Sequence, residues 1–276
     1  MRNLFLSLMA LSAAVAPVIP VAAQGAVAGP SSNSAASAPR AFDRATHYAL
    51  LNQLKDKAEY LKIGEIIDKP SSQDEANANL DWLGIQFKTG ASSYFSFQYS
   101  RLLSAYADAI PGNQGDQLRG TALAAMLHAI IASQAEAQQC ADRTARADRP
   151  MRFMQMLNTM GLLEQNEEVR KMAGFIAFNM EQRTWDVRKQ INDASFLCMN
   201  GMAAMSAGLT NSEPREVETP EGQIGRTFTV QPPADFVYER LPNEEWWPKA
   251  EELRAKNGAA LKSLLNVDDL SFDPGN

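Results

Sequence analysis

The sequence predicts an all-α protein: antiparallel helix hairpins in a bundle or short solenoid, about seven or eight helices, with an irregular Pro-rich C-terminal arm ending in a docking helix. Three observations carry this. Apolar residues recur at three- and four-residue steps through most of residues 43–210. Gly, Pro and Asn punctuate those stretches in short breaks. Strand-like character is confined to Arg226–Val230 (RTFTV), and one strand makes no sheet.

Met1 to Ala23 reads as a signal peptide. Arg2 supplies the positive start, Leu4 to Ala16 the apolar core, and Val21-Ala22-Ala23 the small-residue cleavage pattern before Gln24. The apolar core is too short and too early for a membrane span, and an uncleaved anchor is the alternative. Residues 24–40 are mostly Ala, Ser, Gly and Pro and read as a flexible linker. A helical domain over 41–210 and an acidic arm over 211–276 complete the expected organisation.

The elements follow in order. Asp43 to Ile67 reads as one helix, capped by Asp43, with Leu50, Leu51, Leu54, Ala58 and Leu61 in helical phase. Asp74 to Lys88 is a second, with Leu80, Leu83 and Phe87 on one face and Gly90 placed to end it. Ser92 or Ser93 caps a third, Tyr94 to Ala109, and so short a turn predicts a hairpin with the second.

Pro111-Gly112-Asn113-Gln114-Gly115 is a clear turn. Asp116 then caps the fourth helix, Gln117 to Cys140, around which the rest is expected to be organised. Its small and branched apolar residues permit close approach of neighbours. Met151–Met160 and Glu164 to Lys189 form the fifth and sixth helices, and Asp193–Ala207 the seventh, ended by Gly208. Five prolines break residues 210–245, and Trp246-Trp247-Pro248 leads into a last helix, Lys249 to Leu265.

Composition narrows the function. The net charge is −6, and residues 211–276 hold 7 bases against 13 acids. An acidic chain without a basic stripe argues against nucleic acid as a partner. Two histidines, His47 and His128, lie far apart in sequence, with no HExxH or CxxC, so neither metal nor any other cofactor is implied. Two cysteines in an exported chain predict a Cys140–Cys198 disulfide, with two buried free thiols as the alternative.

No nucleophile elbow or phosphate loop stands in a suitable context. Among the acids, Asp108 and Asp186 come closest to apolar surroundings, near Tyr106 and Trp185. Tyr94 and Phe97 form a second aromatic stripe on the third helix, followed by Arg101; with His128 they are the candidate lining of a groove. Contact with a further helix or the arm is the competing, favoured role for that stripe. Arg143, Arg146, Arg149 and Arg152, every third residue, are the candidate anion contact, or else a solvated charged connection. The methionines at helical spacing belong to an adaptable core or surface.

Leu83-Gly84-Ile85-Gln86-Phe87-Lys88-Thr89-Gly90 resembles the turn of tetratricopeptide-related helical repeats. It covers eight residues and does not recur at repeat spacing, so it implies a shape and transfers no binding residue.

The expected function is an exported, periplasmic or secreted, binding or adaptor protein of the cell envelope, leaning away from an enzyme, with an envelope protein or peptide as partner and no integral membrane span once the signal is removed. A secreted hydrolase using His128 and an acid such as Asp108, and a carrier of a small hydrophobic ligand or lipid, are the alternatives.

Overall fold

A computed structural model describes residues 42–211, 214–217, 227–233 and 235–270. The expected signal segment, linker and final 273–276 lie outside the described residues. Among the described residues the chain is all-α, with eleven helices: α1 (Arg44–Asp56), α2 (Tyr60–Asp68), α3 (Gln73–Thr89), α4 (Ser93–Ala109), α5 (Asn113–Glu136), α6 (Asp148–Thr159), α7 (Glu167–Arg188), α8 (Ala194–Leu197), α9 (Met202–Asn211), α10 (Asn243–Arg254) and α11 (Asn257–Leu265).

The count exceeds expectation because three stretches predicted as single helices are each interrupted. The first breaks at Ala58, whose φ of 53° is left-handed, with Glu59 N–H returning to the Leu54 carbonyl at 2.9 Å. The break resets the helical phase. Leu61, expected inward, is 79% exposed, and Ile63 and Ile67 are buried instead. The second interruption, Cys198 to Gly201, separates α8 from α9. The third separates α10 from α11 at Ala255–Lys256. α10 also begins earlier than expected, at Asn243, and runs through Pro248.

Helix α5 is the hub. Every residue from Ala122 to Ser133 is buried, so the helix is enclosed on all sides rather than along one arc. It packs against α4, α6, α7 and α10. It starts at Asn113, with Gly112 (φ 75°) as N-cap, so Asp116 sits in its first turn instead of capping it, still at the positive end of the helix dipole.

Antiparallel α4 meets α5 through a stripe of small side chains, Ser93, Ser96, Ser100 and Ser104, all buried. Ser100 donates to the Ala122 carbonyl at 2.7 Å, and Ser96 pairs with His128 at 2.8 Å. Helix α7 runs in the same direction as α5. Gly120 faces Val169 near one end, and Glu136 meets Arg188 at the other.

The expected α3–α4 hairpin is present. Ser72 caps α3 and Ser92 caps α4. Phe87 and Tyr99 pack with ring centroids 5.8 Å apart, and Trp82 meets Phe95 edge-on at 5.4 Å. Gly90 ends α3 in the left-handed region (φ 78°), where a Cβ would lie 2.5 Å from the Thr184 Cβ of α7. Gly90→Ala therefore meets both backbone strain and a wall. We expect it to lower the unfolding free energy by at least about 2 kcal/mol, read from the urea midpoint; an unchanged midpoint would contradict this placement of α3 against α7.

Residues 239–265 lie along the body. Leu241 N–H donates to the Gln139 carbonyl at 2.7 Å and Ala141 N–H to the Glu239 carbonyl at 3.1 Å, around a bridge between Cys140 and Arg240. Helices α10 and α11 run antiparallel along α7, with Arg254 on Glu181 and Gly258 beside Phe178. Residues 227–229, expected to stand alone as a strand, pair antiparallel with Arg215–Val217 in a two-stranded ribbon. Gly208 does not end its helix. It lies within α9, buried, where a Cβ would come within 2.9 Å of the Gln231 carbonyl oxygen. No helix among the described residues is long and apolar enough to cross a membrane.

Candidate functional site

The sequence-predicted groove residues fall into separate environments. Tyr94 is buried; its hydroxyl donates to the Tyr60 carbonyl at 2.8 Å, and its ring packs on Phe95 and Phe196. Burial pushes its phenol up to about 12. Phe97, half-buried, stacks on Phe153 of α6 at 4.6 Å. The second aromatic stripe thus meets α2, α6 and α8. Arg101 pairs with Asp68 and Gln98.

His128 is fully buried between Ser96 and the edge of Phe87, with no hydrogen-bond partner at Nε2. Burial, helped by the Arg188 charge, holds its imidazole well below the ordinary value and therefore neutral. Asp108 lies elsewhere: exposed and paired with Arg119 at 3.2 Å. Asp186 is likewise exposed and pairs with Lys189. The structure does not bring His128 and Asp108 together.

The four arginines take different roles. Arg146 donates twice to the Cys140 carbonyl, at 3.0 and 2.7 Å. Arg149 lies over the Phe196 ring at 4.4 Å and donates to the Phe196 carbonyl at 2.9 Å. Arg152 holds Asp148 at 2.9 Å, and Arg143 is exposed. Arg146, Arg149 and Arg152 are thus engaged with protein groups. Cys140 and Cys198 form a disulfide, with Cα atoms 5.6 Å apart, joining the end of the α5 segment to the end of α8.

The charged groups that do converge lie beneath the C-terminal end of α5. Arg188 of α7 donates to Glu136 of α5 at 2.9 Å and to Glu181 at 3.3 Å. Arg254 of α10 donates to Glu181 at 2.5 Å. All four side chains are at most 9% exposed. Trp185 and Trp246 close the cluster edge to face, 6.1 Å apart, with the Arg254 guanidinium 4.3 Å from the centre of the Trp185 ring.

The other oxygen of Glu136 accepts from the Ser93 N–H at 3.1 Å, placing a carboxylate at the positive end of α4. Beside it, Asp193 accepts from the Tyr60 hydroxyl. Burial pushes Glu136 up to about 7 against the pull of Arg188. Burial also raises Asp193, against bonds from Ser92 and Tyr60. The Ser93, Arg188 and Arg254 bonds join α4, α5, α7 and α10.

Sequence reasoning missed this cluster. One signal was present: Glu181, Trp185 and Arg188 occupy positions i, i+4 and i+7, so charges share the inward face of α7 with an aromatic ring. Glu136 sits among small residues, where its burial depends on neighbours distant in sequence.

The sign of the pH effect follows from these shifts. Folded Glu136 holds its proton to about pH 7, whereas its ordinary value is 4.5. Its neutral form therefore favours the fold below pH 4.5, and that advantage is lost as pH rises to about 7. Asp193 acts in the same direction. His128 opposes them, because unfolding frees it to take up a proton below pH 6.5. We expect the stability of the native chain relative to Glu136→Gln to fall by roughly 3 kcal/mol between pH 5 and pH 8, measured by urea unfolding at each pH. A pH-independent difference would contradict the assignment.

Among the described residues no group of His, Cys, Asp and Glu is arranged to hold a metal ion. A hollow of about 350 Å³ lies between α7 and α11, lined by Phe175, Phe178, Asn179, Gly258, Lys262 and Leu270. No protein-family model, no curated protein and no solved structure matches this chain.

Proposed function

We propose that the chain is an exported helical binding protein, an adaptor of the cell envelope. The observation that carries this reading is the inverted character of α9. Its small residues Ala204 and Gly208 are buried, while Met202, Met205 and Leu209 are 54%, 46% and 59% exposed. A helix that turns its large apolar side chains to solvent offers area for association that the described residues leave uncovered. The disulfide at its base fits an oxidising compartment, and the signal-like segment 1–23 supports export.

The test is affinity purification of the tagged full-length chain from its source cells after mild cross-linking, with protein and small-molecule mass spectrometry on the same eluate. The adaptor reading expects one envelope protein in fixed ratio to the chain. A co-purifying small amphiphile with no protein would overturn it. That outcome would favour the carrier reading, which the hollow between α7 and α11 supports: apolar walls with one amide and one ammonium group suit a small anionic amphiphile.

A further inference from the structure

The C-terminal arm crosses the disulfide as a strap. The backbone bonds from Leu241 to Gln139 and from Ala141 to Glu239 lay residues 239–241 edge to edge with 139–141. Cys140 stands directly opposite Arg240 in this antiparallel pairing, which sets the two side chains on one face. The Arg240 guanidinium lies 5.6 Å from the centre of the Trp246 ring and donates to Asn243 Oδ1 at 3.1 Å. The bond itself is enclosed: Cys140 is 0% and Cys198 5% exposed.

The two sides of this enclosure are held unequally. Around Cys198, the α8 residues Ala194, Phe196 and Leu197 are buried. That side is also tied to the 142–149 segment, by Arg149 on the Phe196 carbonyl at 2.9 Å, Asn200 on Asp148 at 2.7 Å and Ala203 N–H on Asp142 at 2.9 Å. Over Cys140, no residue of the strap and its flanks from 235 to 242 is buried. A surface segment without a buried side chain opens at a lower free energy than the core around it.

We infer that the 239–241 strap gates thiol–disulfide exchange at Cys140–Cys198, with a dithiol as the reacting partner. Exchange needs a thiolate to reach a sulfur, so access sets its rate together with the chemistry. With the strap down, the bond is inert. With it lifted, one thiolate of the dithiol attacks the Cys140 sulfur, forming a mixed disulfide and releasing Cys198 as a thiolate. The second thiolate of the dithiol then attacks the sulfur of the first and releases Cys140. The dithiol leaves as a disulfide, oxidised by two electrons, and its two protons end on the two cysteine thiols. The inference goes beyond the adaptor reading and does not depend on it.

The experiment treats the oxidised full-length chain with dithiothreitol at pH 8 without denaturant, quenches with N-ethylmaleimide and weighs the product. The chain has two cysteines, so reduction adds two labels. The native chain should be reduced roughly tenfold or more slowly than the same chain in urea. Leu241→Pro removes the N–H given to Gln139 and should speed native-state reduction roughly tenfold. Arg240→Ala should speed it as well, and carries the test if Leu241→Pro fails to fold. Gly90→Ala, which weakens the whole fold far from the strap, and Arg149→Met, which loosens the α8 side, should be reduced at the native rate. Reduction of the native chain as fast as in urea, or native rates for the strap variants, would overturn the inference. So would Gly90→Ala as fast as the strap variants, since global unfolding would then expose the bond, or Arg149→Met as fast, since the α8 side would then be the door.

Discussion

Arg188→Met is expected to lower the unfolding free energy by about 3–5 kcal/mol at pH 8, the cost of leaving a buried carboxylate unpaired. Arg188 is fully enclosed and, among the described residues, is the side chain that joins Glu136 to Glu181. Glu181 keeps Arg254 in the variant, at 2.5 Å. Among the described residues Glu136 keeps its bond from Ser93. Its carboxyl must then be neutral to stay inside, so the defect should be largest at pH 8 and small at pH 5. Adding Glu136→Met removes the orphaned acid and should recover much of the loss at pH 8. A double-mutant cycle on 136 and 188 by urea unfolding reads this directly. Additive losses would show that the pair is not coupled, and a pH-independent defect would show that Glu136 is not the group left behind.

The Cys140→Ser, Cys198→Ser double variant is expected to lose roughly 4 kcal/mol, the loop-closure value for a separation of 58 residues. For a body of this size that corresponds to a fall in melting temperature of roughly 8–16 °C. The loss has a local component. Arg146 is bonded to the Cys140 carbonyl, and the 239–241 segment pairs with residues 139–141 on the same stretch of chain. Limited proteolysis of the variant should therefore cut first near 139–146 or 198–201. A melting temperature within 2 °C of the native chain would mean that the bond restrains nothing the fold does not already restrain.

How far these features could be read from sequence depends on the range of the interactions that make them. Local signals held. Asp43 and Ser92 cap their helices, and Gly90 stops α3 in the left-handed region, because capping and φ are decided within a few residues. The small-residue run in α5 correctly marked the hub, since only a helix met from every side is apolar all round.

What failed depended on distant neighbours. Gly208 reads locally as a helix stop, but its role is to let the 231–232 backbone approach. Leu61 fits the phase of an unbroken helix, and the break at Ala58 turns it to solvent. Arg143, Arg146, Arg149 and Arg152 look like one site in sequence, yet each meets a different environment. The buried cluster was hardest to foresee, because Glu136, Glu181, Arg188 and Arg254 come from three helices and burial is what turns ordinary charges into a paired network.

The central claim is that α5 is the enclosed hub on which the other helices depend. Native-state amide hydrogen exchange of the intact, oxidised chain at neutral pH tests it most directly. The account predicts that amides from Ala122 to Ser133 exchange slowest of all, only through global unfolding, while those of α1 and α9 open locally and earlier. Exchange of the α5 amides as fast as those of α9 would contradict it.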